Sequence, residues 1–207
     1  MLDVGIRALM EHVRERDPTF DHLRPEQILV VAGEARRNSH ASIKPLAFSG
    51  GRSANGEGQL KPEVWVNGVL MLYCITLRPL FFRSSTPEAR VGTLLHELFH
   101  IAPAFDGTLD PDRRHAVLGP RFAQLFGPLL ERTLADLPTE LLAPFAHHGE
   151  VSVLHWLERP GAVLKAGSRP QRRVYDTAQL YRSEVFQMTG KGYLSVAPTP
   201  IAQRRLH

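Results

Sequence analysis

The segment Val91-Gly92-Thr93-Leu94-Leu95-His96-Glu97-Leu98-Phe99-His100 constrains this chain more than any other. Val91, Leu94, Leu95, Leu98, Phe99 and Ala102 recur at helical spacing and predict one apolar face. Ser85-Thr86-Pro87-Glu88 is a start signal, with either Ser85 or Thr86 as the cap, and Pro103 is a stop. On such a helix His96 and His100 are one turn apart and project from the same side. Two neutral imidazoles so placed can share one tetrahedral zinc ion. Glu97 is rotated about 100° from His96, beside the metal position but outside its ligand set. A carboxylate there can take a proton from a metal-activated water and return it to a leaving amine. The His-Glu-x-x-His spacing therefore predicts His96 and His100 as zinc ligands and Glu97 as general base and acid.

A catalytic zinc site needs a third protein ligand and an open position. His115 follows His100 by fifteen residues, across the turn-rich run Ala104-Phe105-Asp106-Gly107-Thr108-Leu109-Asp110-Pro111. That connection lets the chain fold back over the metal, which favours His115. Glu131, inside the next helical stretch, and His147, His148, Glu150 and His155 are the other candidates.

These residues carry a resemblance. His96-Glu97-Leu98-Phe99-His100, the gap to His115 and then Gly119-Pro120-Arg121-Phe122 look like the core of SprT-like metallopeptidases. In that family a third histidine, in a His-Gly-x-x-Phe run, opens the next helix. His100-Ile101 and Asp106-Gly107 are also similar to putative phage and bacterial metallopeptidases. The resemblance covers roughly residues 85–130 and implies an α+β zincin fold, bound Zn2+ and peptide hydrolysis. Two features depart from it. Ala116-Val117-Leu118 separates His115 from Gly119, and no cysteine zinc ribbon is possible because Cys74 is the only cysteine.

Elsewhere the pattern is coarser. Residues 4–15 read as a short helix, 27–32 as a buried strand and 42–48 as an edge strand containing Pro45. Residues 49–58 are glycine-rich but lack the Gly-Lys-Ser/Thr ending of a phosphate loop, and read as a surface loop. Residues 64–66 and 69–77 are β-forming, joined by Asn67-Gly68, and are either a hairpin or one broken strand. A strand beside the motif helix can align a peptide by strand addition. Gly119-Pro120 opens a second helix, with Phe122, Leu125, Phe126, Leu129, Leu130 and Leu134 as its stripe, and Leu137-Pro138 closes it. From Val151 onward the chain reads as short strands.

The expected architecture is thus α+β: a zincin-like domain over residues 1–150, with a mixed or antiparallel sheet packed on the motif helix. A basic, β-rich region over 151–207 either belongs to that domain or forms its own lobe. Residues 151–207 hold nine Lys+Arg against three Asp+Glu, a charge of +6, so the first 150 carry −2 of the total +4. Arg172-Arg173-Val174-Tyr175 and Tyr181-Arg182 interleave basic and aromatic residues, which suits nucleic acid. The alternative function is therefore a nucleic-acid-binding module with a structural or vestigial zinc, and a third is a metal-free scaffold. An oxyanion partner is expected from Tyr175, Tyr181 or His155. A peptide or protein is the expected substrate. No signal peptide or membrane span is evident, so a cytoplasmic location is expected.

Overall fold

The computed structural model describes residues 2–33, 39–46, 51–52, 58–60, 62–147, 149–155, 164–165, 172–176, 180 and 182–188. The chain begins with helix α1 (Leu2–Arg16) and continues through strands β1 (Ile28–Ala32), β2 (Ala41–Pro45), β3 (Gly51–Arg52) and β4 (Gly58–Leu60). Strands β5 (Glu63–Val66), β6 (Val69–Met71) and β7 (Tyr73–Leu77) follow, then helices α2 (Pro79–Ser84) and α3 (Pro87–Phe99). Helices α4 (His115–Leu118), α5 (Arg121–Asp136) and α6 (Thr139–Ala146) precede strands β8 (Gly149–Leu154), β9 (Leu164–Lys165), β10 (Arg172–Tyr175) and β11 (Arg182–Met188). The fold is α+β.

The central sheet has the order β1-β7-β2, with β1 parallel and β2 antiparallel to β7. Its two faces belong to different cores, because side chains alternate across a strand. Ile28, Ile43, Tyr73, Ile75 and Leu77 face the helices, packing with Leu9 and Val13 of α1, Leu94, Leu95 and Leu98 of α3, and Phe126 of α5. Leu29, Val31 and Cys74 face the other way, onto Val64, Val66 and Met71. A strand buried on both faces reads as a near-continuous apolar run, which explains the lack of alternation in Tyr73–Leu77.

The stretch 69–77 is two strands rather than one. Asn67 and Gly68 both have positive φ, 49° and 79°, so β5 and β6 form a tight hairpin. The chain then changes sheets at Leu72: β6 stays with β5, and β7 enters the central sheet. The C-terminal strands interleave with earlier ones. β10 pairs with β5, β9 pairs with β4, and β8 pairs with β11. The glycine-rich stretch 49–58, expected to be a surface loop, instead contributes β3 and the start of β4 where it is described, and residues 49–50 and 53–57 lie outside the described set. Helices α2, α4 and α6 were not anticipated from the sequence. Two are short, and α6 contains Pro144, which masks its signal.

Helix α3 is capped by Thr86, whose hydroxyl accepts from the Ala89 N–H at 3.2 Å, with Pro87 in the first turn. It ends at Phe99, before Pro103, with His100 as the C-cap. Arg90 is fully buried within it and donates to the Phe145 carbonyl near the end of α6 and to Ser85 Oγ. Burial lowers its pKa to about 10, so it stays charged at neutral pH. The cation sits where α6 presents its terminal carbonyls. No helix among the described residues is long and apolar enough to cross a membrane.

Candidate metal centre

His96, Glu97 and His100 lie at the C-terminal end of α3, and His115 begins α4. The ligand atoms of His96, His100 and His115 all lie within 4.8 Å of one another, and no other such group occurs among the described residues. Ligand nitrogens about 2.05 Å from a tetrahedral zinc lie about 3.3 Å apart. His96 Nε2 and His115 Nε2 are 3.0 Å apart, a distance that also suits a hydrogen bond between two neutral rings. His100 Nδ1 lies 2.9 Å from the Arg113 carbonyl. A carbonyl only accepts, so Nδ1 carries the proton and Nε2 keeps its lone pair for a metal.

The protonation states suit ligation. Burial, with His100, His115 and His40 nearby, pulls the His96 pKa down to about 4. Burial also lowers that of His100. Both rings are therefore neutral at pH 7, as a metal ligand must be. Phe122 of α5 lies under all three imidazoles, with ring centroids 4.8, 5.6 and 4.3 Å from His96, His100 and His115. Its presence at the start of the α5 stripe was visible in sequence, but its place beneath the cluster required the fold.

Glu97 is 8% exposed. Burial raises its carboxyl pKa to about 7, opposed by a hydrogen bond from the Ile43 backbone N–H. That contact follows from the register of β2. His40 O accepts from Arg78 N at 3.0 Å, and Leu46 N donates to Leu72 O at 2.8 Å. Even-numbered residues thus bond to β7, and Ala41 and Ile43 turn their backbone groups outward. β2 is the edge strand of its sheet, and its outward side borders the three histidines. The groove between them is about 720 Å3 and is lined by His40, Ala41, Ile43, His96, Glu97, His100, Leu109, Arg114, His115, Phe126 and Leu130, among others. His40 stacks on Phe81 with centroids 3.9 Å apart and planes 7° from parallel.

The other sequence candidates lie elsewhere. Glu131 is exposed on α5 and outside the cluster. His147 is exposed beside Gly149, and His155 is half-buried after β8. His148 and the Glu150 side chain fall outside the described residues, as does Tyr181. Tyr175 and His155 do not line the groove, whose lining includes the imidazole of His40 and the guanidinium of Arg114 besides the hydroxyls of Ser39, Ser42 and Thr93. Sequence reasoning missed these, and it missed the Ile43 N–H because a backbone donor carries no residue signature.

No family model, curated protein or solved structure matches this chain.

Proposed function

We propose that this chain is a zinc-dependent peptidase of zincin type. The observation that carries the reading is the meeting of a buried Glu97 with three convergent histidines at the outward side of an edge strand. His96, His100 and His115 are the residues that would hold the ion: their ligand atoms converge, and burial keeps the His96 and His100 rings neutral. Bound there, zinc would supply Lewis acidity, acidifying a water and polarising the scissile carbonyl.

The chain's own residues supply the rest. Glu97, with its pKa near neutrality, accepts the proton from the attacking water and gives it to the leaving nitrogen. The Ile43 N–H holds the carboxylate in place while its charge changes. The outward backbone groups of β2 offer a template for an extended peptide, which would add as one more strand. Phe126 and Leu130 give the groove an apolar wall for substrate side chains.

The test is hydrolysis of fluorogenic peptide libraries and an unfolded protein by zinc-loaded wild type and Glu97→Gln. Wild type cleaves. Glu97→Gln keeps about one zinc per chain and loses at least about 100-fold in kcat/KM. Equal activity in the two proteins would refute the role of Glu97. A zinc-loaded wild type that cleaved nothing would refute the peptidase reading.

A further inference from the structure

We propose that Arg113 and Asp110 form a positioning pair that sets metal affinity at the three-histidine site, acting through the backbone carbonyl that orients His100. The inference rests on reading His96, His100 and His115 as metal ligands. It needs no assumption about the reaction.

A third ligand delivered by a fifteen-residue connection has a physical problem. The connection has many conformations when free, and ordering it at the moment of binding weakens the metal. This loop is ordered in two halves. The first half is tied to the sheet. Ile101 and Leu109 form a bridge, and Ala102 N donates to Thr108 O at 3.2 Å. The hydroxyl of the fully buried Tyr73 donates to Thr108 O at 2.9 Å and accepts from Gly107 N at 3.0 Å.

The second half is tied to α3, the helix that bears the other two ligands. Asp110 N donates to His100 O at 2.9 Å. Each oxygen of the Asp110 carboxylate has a separate partner. Oδ1 accepts from Asp112 N at 2.9 Å, and Oδ2 lies 3.1 Å from Arg113 Nε. Arg113 Nη1 donates to Phe99 O at 3.1 Å, and the guanidinium lies 4.5 Å from the centre of the Phe99 ring. Phe99 O belongs to the last turn of α3, where carbonyls lack helical partners and a cation is favoured. The Arg113 and Asp110 side chains are 21% and 14% exposed, so water screens the pair only partly.

One guanidinium therefore controls two ligands. It fixes the Arg113 backbone, whose carbonyl holds His100 Nδ1 at 2.9 Å and keeps Nε2 free for the ion. His115 follows two residues later, at the start of α4. The carbonyl is a common kind of partner for a ligating histidine. What is particular to this chain is the side-chain pair that holds that carbonyl in place.

The experiment measures zinc affinity by chelator competition on metal-free wild type, Arg113→Lys, Asp110→Asn and the double variant. Arg113→Lys keeps the charge but cannot reach Asp110 and Phe99 O together. Asp110→Asn keeps an acceptor for Asp112 N and turns an amide NH2 toward Arg113 Nε, donor against donor. Each single variant should weaken zinc by roughly 10- to 100-fold. The double variant should be no weaker than the worse single, since both remove one device. The absorption of bound cobalt(II), a reporter of ligand geometry, should change in both, while the metal-free proteins melt with wild type. Affinities within twofold of wild type, or losses that multiply in the double variant, would overturn the proposal. A wild type that bound no zinc would instead remove the metal reading beneath it.

Discussion

Asp17 ends the first helical segment and is tied to α5 by Arg132, whose Nη2 and Nε lie 2.7 and 2.8 Å from the same carboxylate oxygen. Burial pushes the Asp17 carboxyl up, but the Thr19 N–H and hydroxyl and the Arg132 guanidinium outweigh it, and the net pKa is lowered from 3.8. A carboxyl whose folded pKa is depressed adds stability above its unfolded value and loses it as pH falls through the folded one. Arg132 is 53% exposed, so screening limits the gain to about 1 kcal/mol. Asp17→Asn should thus cost about 1 kcal/mol in urea unfolding at pH 7. The gap should begin to close below pH 3.8 and vanish once wild-type Asp17 is protonated. A gap unchanged at low pH would show that the ion pair is not its source. At this scale the sequence was legible where chemistry rides on spacing. His96 and His100 share a helix face whatever the fold. Asp17 with Arg132, and Glu97 with the Ile43 N–H, join residues far apart in sequence, and no local pattern encodes such pairs.

Among the elements, α3 was legible in its start and its face because three signals agreed: a Ser85 or Thr86 cap, a proline in the first turn and an apolar stripe. Its end was not, since the helix stops at Phe99, short of the Ala102 that the stripe includes. Strand β2 was legible as an edge because Pro45 cannot donate to a ladder. The division of 69–77 between two sheets was not, since burial on both faces erases the alternation that would mark a strand's orientation. Nor was the docking of α1 on α6. It depends on Gly5, where an added Cβ would lie 2.6 Å from Pro144 Cβ and 2.8 Å from its Cγ. The proline ring is stiff, so the helices themselves would have to separate. Alanine normally stabilises a helix relative to glycine by up to about 1 kcal/mol. Here overpacking should prevail, and Gly5→Ala should destabilise by about 1–3 kcal/mol. Pairing it with Pro144→Ala should recover part of the loss. A Gly5→Ala protein that melted above wild type would mean that α1 and α6 do not approach as closely as this.

At the scale of the molecule, the candidate metal lies at the rim of the helical core rather than inside it. Leu94, Leu95 and Leu98 point into that core from the same helix that carries His96 and His100. Their burial does not depend on the ion. His115, by contrast, is exposed and held to the cluster by its own ring contacts and by the loop before it. Zinc should act as a clip between α3 and α4 on a chain that is already folded, unlike small domains that unfold without metal. The metal-free protein should therefore keep its secondary structure and unfold cooperatively. With free zinc at about 100 times its dissociation constant, stability should rise by about 2.7 kcal/mol. For a chain of 207 residues that corresponds to a Tm increase of about 5–10 °C. His115→Ala should melt with the metal-free wild type and lose most of the zinc-dependent shift. Calorimetry of both proteins at two zinc concentrations separates the possibilities. Collapse of the metal-free wild type would make the ion a structural element of the core. An undiminished shift in His115→Ala would move the third ligand away from α4.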